Sequence, residues 1–277
     1  MNIKKYFENR IDNSVGGKLS GILEYKIKEL VESKKSLPIE KILRDLSVQQ
    51  NNFALKSLKK SLLLAEPIGL LAEIKLASPS NQDINLQVDI EKQAIEYEKS
   101  GADAISVLTD KKFFKGDLAY LSQIKNLVKI PVIRKDFIFD PYQVYESKFY
   151  GADAILLIAT ILKTDCLNEL IELAHDLKME CLVEIHTSED LEKVLNTNAN
   201  IIGINARDLQ TFEINLQRVI DLVPFLPIDK ILVAESGIRN REDVKNLKRN
   251  GIKNILVGTT LMKVVNISEK IKELKLI

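Results

Sequence analysis

Gly101-Ala-Asp-Ala-Ile-Ser-Val-Leu and Gly151-Ala-Asp-Ala-Ile-Leu-Leu-Ile stand fifty positions apart in the chain. Weaker copies follow at Asn198-Ala-Asn-Ile-Ile-Gly-Ile and Gly251-Ile-Lys-Asn-Ile-Leu-Val-Gly. Each copy is a turn signal followed by a nearly continuous apolar run, the pattern of a strand buried on both faces in a parallel sheet. Four further runs lie between them, at Ile68–Ile74, Pro131–Ile133, Cys181–Ile185 and Lys230–Ala234. Amphipathic segments separate the runs, and Val88–Lys99, Tyr142–Tyr150, Cys166–Leu177, Ser188–Leu195 and Arg241–Lys248 read as helices. Gly101, Gly151 and Gly251 stand where a left-handed glycine ends the preceding helix. Eight strands alternating with helices over about 210 residues predict an α/β fold, a (β/α)8 TIM barrel, usually roughly 250 residues long. An open doubly wound sheet uses similar strands. The fifty-residue period favours the closed ring, because it holds two βα units and fits four times around it.

Residues 1–66 differ. Leu19–Lys34, Ile39–Leu46 and Phe53–Leu64 read as helices, with Pro38 separating the first two. They predict an N-terminal helical extension packed on a catalytic barrel of residues 67–277; residues 1–17 carry no clear pattern.

Forty basic residues balance 39 acidic ones, so nothing in the net charge of +1 points to nucleic acid or an anionic membrane. An anion site must be local. Cys166 and Cys181 fit a reducing compartment and match no zinc spacing, even with His175 and His186. No stretch approaches the ~20 apolar residues of a membrane span, and no signal peptide is recognisable. The expectation is a cytoplasmic protein that binds neither nucleic acid nor membrane, a monomer or weak homodimer.

Charged groups at the end of an apolar strand are costly to bury without partners. Glu73 and Lys75 close the first run, Lys135 the third, Glu184 the fifth, Asn205 the sixth and Glu235 the seventh. All fall at C-terminal strand ends, where barrel active sites are built. One such charge reads equally well as a structural ion pair; five charges and an Asn converging from five strands do not. Ser236-Gly237 follows the seventh strand and Gly258-Thr259-Thr260 the eighth. Glycines there let backbone N–H groups approach an anion, and loops seven and eight form a recurring phosphate site.

Leu71-Ala-Glu-Ile-Lys with Ser78-Pro-Ser, Ser106-Val-Leu-Thr, Phe113-Phe-Lys-Gly and Pro131-Val-Ile-Arg-Lys-Asp-Phe follow one another along the chain. Tyr142-Gln-Val-Tyr-Glu, Leu182-Val-Glu-Ile-His, Gly203-Ile-Asn, Arg207-Asp-Leu, Ala234-Glu-Ser-Gly-Ile and Val257-Gly with Leu261-Met complete the ordered series. In this series, from about Ile22 to Met262, the chain resembles the indole-3-glycerol-phosphate synthase family. The resemblance implies a phosphorylated substrate, 1-(2-carboxyphenylamino)-1-deoxyribulose 5-phosphate, and ring closure with loss of CO2 and water. It implies no metal and no organic cofactor. Lys135 matches the general acid and Glu184 the acid/base carboxylate of dehydration. Lys75 matches a residue that binds a substrate anion or transfers a proton, and Glu73 one that holds the ammonium groups. Asn205 and Glu235 match residues that orient the anilino and hydroxyl groups. Arg207 is a partner for the substrate carboxylate or a neighbouring carboxylate. Ser78, Ser236, Gly237, Gly258 and Thr259 match substrate- and phosphate-contacting positions. Phe114 and Phe137 read equally as a wall for the anthranilate ring or as ordinary core. His186 reads as structural or as part of a loop, His175 as structural, and both cysteines as packing residues.

The pattern departs from the family after Ser80, where Asn81-Gln82-Asp83 replaces Lys-Gly in the loop after the first strand. Asp110 and Ala206 also differ from the commoner Glu and Asn. A related phosphate-binding isomerase would need a Cys or Asp acid/base at strand ends. A barrel kept only for binding would have lost part of the charged rim.

Overall fold

The computed structural model describes residues 7–12, 15–48, 53–78, 88–209 and 211–277. The altered segment Asn81-Gln82-Asp83 lies outside them. Strands β1 (Gly69–Ile74), β2 (Ala104–Leu108), β3 (Val132–Lys135), β4 (Ala154–Ile158), β5 (Glu180–Ile185), β6 (Ile201–Asn205), β7 (Ile231–Glu235) and β8 (Asn254–Val257) pair in chain order, all parallel. β8 returns to β1, from Gly69 opposite Asn254 to Ala72 opposite Val257, and the barrel is closed. Every residue of β1, β2, β4 and β8 is buried, which is why these strands read as unbroken apolar runs.

Helices α1 (Gly17–Ser36), α2 (Ile39–Val48) and α3 (Leu58–Leu64) precede the barrel. Around it run α4 (Ile90–Lys99), α5 (Lys111–Phe114), α6 (Ala119–Leu127), α7 (Pro141–Phe149), α8 (Thr164–Asp176), α9 (Ser188–Leu195), α10 (Leu216–Leu222), α11 (Arg241–Arg249), α12 (Thr259–Lys263) and α13 (Ile267–Leu274). Local chemistry sets their ends. Asp140 and Gln143 form a capping box around Pro141 at the start of α7, and Asn240 with Asp243 does the same for α11. Gly101, Gly151 and Gly251 have φ of 100°, 87° and 91°. At each, the glycine and the residue after it donate back to the last turn, as Gly101 to Glu98 and Ala102 to Tyr97.

The Asp of the repeated Gly-Ala-Asp-Ala has a structural task. Asp103 Oδ2 accepts the N–H of Leu70 at 2.8 Å, and Asp153 Oδ2 that of Val132 at 2.9 Å. Each copy thus ties the start of the preceding strand, at the end of the barrel away from the strand C-termini.

One expected element changes. The helix foreseen from Phe53 begins at Leu58, because Ser57 caps it by accepting from Lys60 N, and the N–H of Lys56 is spent on Asp153 Oδ1 at 2.8 Å. Helix α1 lies against the barrel, burying Leu19, Ile22, Leu23, Lys26 and Leu30. Lys26 Nζ reaches Asp136 Oδ1 at 2.8 Å, just past β3.

Candidate active site

Strand register brings the charged groups to one end. Glu184 on β5 lies opposite Gly203 on β6, and Asn205 opposite Glu235 on β7. Gly203 has no side chain, and that gap is occupied: a Cβ there would stand 2.0 Å from Glu235 Oε1. Lys135 Nζ, from β3, is 2.7 Å from Glu184 Oε2 and 3.0 Å from Glu235 Oε2. Lys75 Nζ is 2.6 Å from Glu73 Oε1, which folds over Gly258 as Glu235 folds over Gly203. Direct contact therefore pairs Glu73 with Lys75, while the partners of Lys135 are the other two carboxylates.

Burial alone would lower the proton affinity of Lys135; Glu184 and then Glu235 outweigh it and hold the ammonium well above its ordinary range. Burial would raise Glu184, but Lys135 chiefly keeps it well below the usual carboxylate range. Glu235 goes the other way. Burial, reinforced by the charge of Glu184, pushes it up to about 8 against the pull of Lys135. One ammonium between two carboxylates thus leaves one carboxylate ionised and the other holding a proton at neutral pH. Carboxyl groups pushed apart in this way mark acid and base assignments.

These side chains line a cavity of about 420 Å³ at the C-terminal ends of the strands. All fourteen residues singled out in the sequence border it: Glu73, Lys75, Ser78, Phe114, Lys135, Phe137, Glu184, Asn205, Arg207, Glu235, Ser236, Gly237, Gly258 and Thr259. The Phe114 and Phe137 rings stand 6.4 Å apart at 45° and face the cavity; Phe137 also belongs to the core. Ser236 and Gly237 have φ of 67° and 79°, so two consecutive residues are left-handed and turn the chain sharply after β7. Thr260 Oγ1 donates to Ile238 O at 2.7 Å, tying that loop to the start of α12. Arg207 is half-buried; its N–H donates to Asn205 Oδ1 and its Nη1 to Phe212 O. His186 is buried beside Glu184, whereas His175 is exposed on α8. Both cysteines are free thiols raised by burial, and neither borders the cavity, so neither supplies the Cys acid/base that the isomerase reading would use.

Sequence reasoning missed part of the wall. Leu19 and Ile22 come from α1, Phe212 and Ile214 from the loop after β6, and Asp110 and Asp136 follow β2 and β3, where they accept the backbone N–H groups of Phe114 and Phe137. A signal for the first was present. Leu19, Ile22, Leu23, Lys26 and Leu30 form one helical stripe, and a lysine within an apolar stripe implies a buried acidic partner.

A family model described as indole-3-glycerol phosphate synthase matches residues 19–274. The chain belongs to the indole-3-glycerol phosphate synthase family. An indole-3-glycerol phosphate synthase of Alkaliphilus metalliredigens is 44% identical over 93% of this chain and 97% of its own length. One of Endomicrobium trichonymphae is 48% identical over 82% of this chain and 87% of its own. Two solved structures share the fold alone. 3-Hexulose-6-phosphate synthase from Salmonella typhimurium has a TM-score of 0.61 at 12% identity, covering 76% of this chain and 97% of that one. Thiamine phosphate pyrophosphorylase from Pyrococcus furiosus has a TM-score of 0.58 at 15% identity, covering 79% and 96%. The indole-3-glycerol phosphate synthase relatives thus match in sequence over most of the chain, while the two other solved structures match in fold alone.

Proposed function

We propose that the chain is a carbon–carbon lyase of tryptophan biosynthesis that converts 1-(2-carboxyphenylamino)-1-deoxyribulose 5-phosphate into indole-3-glycerol phosphate, CO2 and water. The observation that carries the chemistry is the Lys135 ammonium held between Glu184 and Glu235 on the cavity floor. The ring carbon bearing the carboxylate attacks the sugar carbonyl carbon, and negative charge develops on the carbonyl oxygen. Lys135 is charged throughout neutral pH, so it stabilises that oxygen electrostatically and supplies its proton. The carboxylate then leaves as CO2, returning its bonding electrons to the ring. Loss of the new hydroxyl as water and of a proton from the neighbouring carbon completes the indole. Glu184, held ionised, is the acid/base of that half.

The remaining residues position the substrate. Ser236, Gly237, Gly258 and Thr259 take the phosphate, whose place at loops seven and eight suits exposed backbone N–H groups. Lys75, held by Glu73, and Arg207 meet the substrate carboxylate. Asn205 and Glu235 orient the anilino nitrogen and hydroxyl groups, Ser78 contacts the substrate at the rim, and Phe114 and Phe137 flank the aromatic ring. Residues 1–66 are read as a helical extension packed on the catalytic barrel of residues 67–277, a reading supported by Leu19 and Ile22 of α1 at the cavity. We take the enzyme to be cytoplasmic, and a monomer or weak homodimer; two free thiols and balanced charge support the first. Among the described residues no helix is long and apolar enough to cross a membrane.

The test is formation of the fluorescent indole product from the anilino-ribulose phosphate. Lys135→Ala should lower turnover by about 10²–10⁴, the loss typical of a positioned acid. A folded Lys135→Ala enzyme with unchanged turnover would refute the role.

A further inference from the structure

Glu184 has two oxygens with different neighbours. Oε2 accepts from the Lys135 ammonium at 2.7 Å, and Oε1 faces His186 Nε2 at 3.2 Å. His186 is buried, and no aligned hydrogen bond falls on its Nε2 among the described residues. Its other nitrogen, Nδ1, lies 3.0 Å from the hydroxyl of Thr160 in the turn after β4. That hydroxyl has a single proton. It stands 2.6 Å from Asp190 Oδ2 on α9, an oxygen that also accepts the backbone N–H of His186 at 2.9 Å. A carboxylate has no proton to give, so Thr160 donates to Asp190 and accepts from the imidazole. Nδ1 therefore carries a hydrogen. In a neutral ring of that tautomer Nε2 is a bare lone pair facing a carboxylate oxygen, and two buried acceptors 3.2 Å apart repel. One additional proton removes the conflict.

We propose that His186 is a positioning residue for Glu184: Thr160 and Asp190 fix its tautomer, and its Nε2 holds one proton in common with Glu184 Oε1. The inference rests on Glu184 being the acid/base group of the reaction above. Because Lys135 holds Glu184 ionised, the proton rests on the imidazole side, as Oε1⁻···H–Nε2⁺, with no other bond made or broken. The charged groups around the pair are Lys135 from β3, Glu235 from β7 beyond it, and Asp190 from α9, which stabilises the imidazolium. While the proton rests on His186, Glu184 remains a carboxylate able to take one from substrate through Oε2. Lys135 is the larger support of the ionised carboxylate and His186 the next, so without the imidazole Glu184 takes up a proton at a higher pH than in the wild type.

The chain has two histidines, and His175 is exposed, so His175→Gln leaves one imidazole to observe. In that protein, labelled with ¹⁵N-histidine, NMR should show His186 protonated on Nδ1 between pH 6 and 8, with Nε2 protonated or sharing a proton. A neutral ring with a bare Nδ1 and hydrogen on Nε2 overturns the proposal. Kinetics give a second arm. His186→Gln keeps an amide donor near Oε1 but cannot hold the proton, so its loss of turnover should grow as pH falls, reaching about tenfold more at pH 5 than at pH 8. Thr160→Val, which leaves His186 and Glu184 in place, should show the same trend more weakly. A loss that is uniform with pH in both variants signifies a structural role and overturns the proposal. If the wild-type chain forms no indole product, the reaction assignment fails instead, and the NMR arm still decides the tautomer.

Discussion

Glu235 is the residue whose charge state the fold changes most usefully. Its ordinary value of 4.5 is pushed up to about 8, first by burial and then by Glu184. Below about 4.5 the carboxyl is protonated in both folded and unfolded chains, so its burial carries no charge penalty. As pH rises through 8, the folded protein must ionise a buried group, and the stability present at low pH is lost. Glu235→Gln cannot ionise. Denaturant midpoints of wild type and this variant, compared at pH 6 and pH 9, should show the variant gaining relative stability at the higher pH. A difference independent of pH would sink the reading. Lys135 is held charged across the same range, so a fall in wild-type turnover above about pH 8 belongs to Glu235 and not to the lysine.

At the scale of elements, the catalytic geometry depends on which strand positions lack a side chain. Gly203 faces Glu235, and a Cβ built there lies 2.0 Å from Oε1 and 3.1 Å from Cδ. The obstacle is the far end of a side chain, so Glu235 would swing away while β6 keeps its hydrogen bonds. Gly203→Ala should therefore leave thermal unfolding nearly unchanged and lower turnover by about 10², the scale of loss from misplacing a catalytic group by about 1 Å. Parallel measurement of Tm and kcat separates these effects; turnover within twofold of wild type would show that the gap at Gly203 is not what positions Glu235. The strands themselves were legible because burial on both faces leaves an apolar signature that no other element shares at that length. Helices α6 and α10 carry no plain signal in the sequence, and the pattern that extends a helix back to Phe53 is overruled by bonds from Lys56, Ser57 and Lys59 to Asp153 and Glu180. Lys135 was legible as a strand-end charge, but its partners lie 49 and 100 residues away and meet it only across a closed ring.

Taken as a whole, the barrel has two ends with different tasks, and charge is distributed accordingly. At the C-terminal ends of the strands, Glu184, Glu235 and Lys135 face a cavity and pair with one another. At the opposite end, the repeated aspartates are consumed by structure. Asp153 accepts from the N–H groups of Val132 and Lys56 and pairs with the buried ammonium of Lys125. The repeat that first revealed the fold is thus a stability device, and conversion of its Asp to Ala leaves Lys125 charged and unpaired in the interior. Breaking a buried pair from one side costs about 3–5 kcal/mol. Asp153→Ala should accordingly lower the unfolding free energy extrapolated from urea titration by about 3–5 kcal/mol. Its kcat, measured at low temperature where the chain stays folded, should match wild type, because none of the groups facing the cavity touches it. A kcat that falls along with stability would mean that the two ends are coupled through β3, whose first residue Asp153 anchors and whose last residue is Lys135.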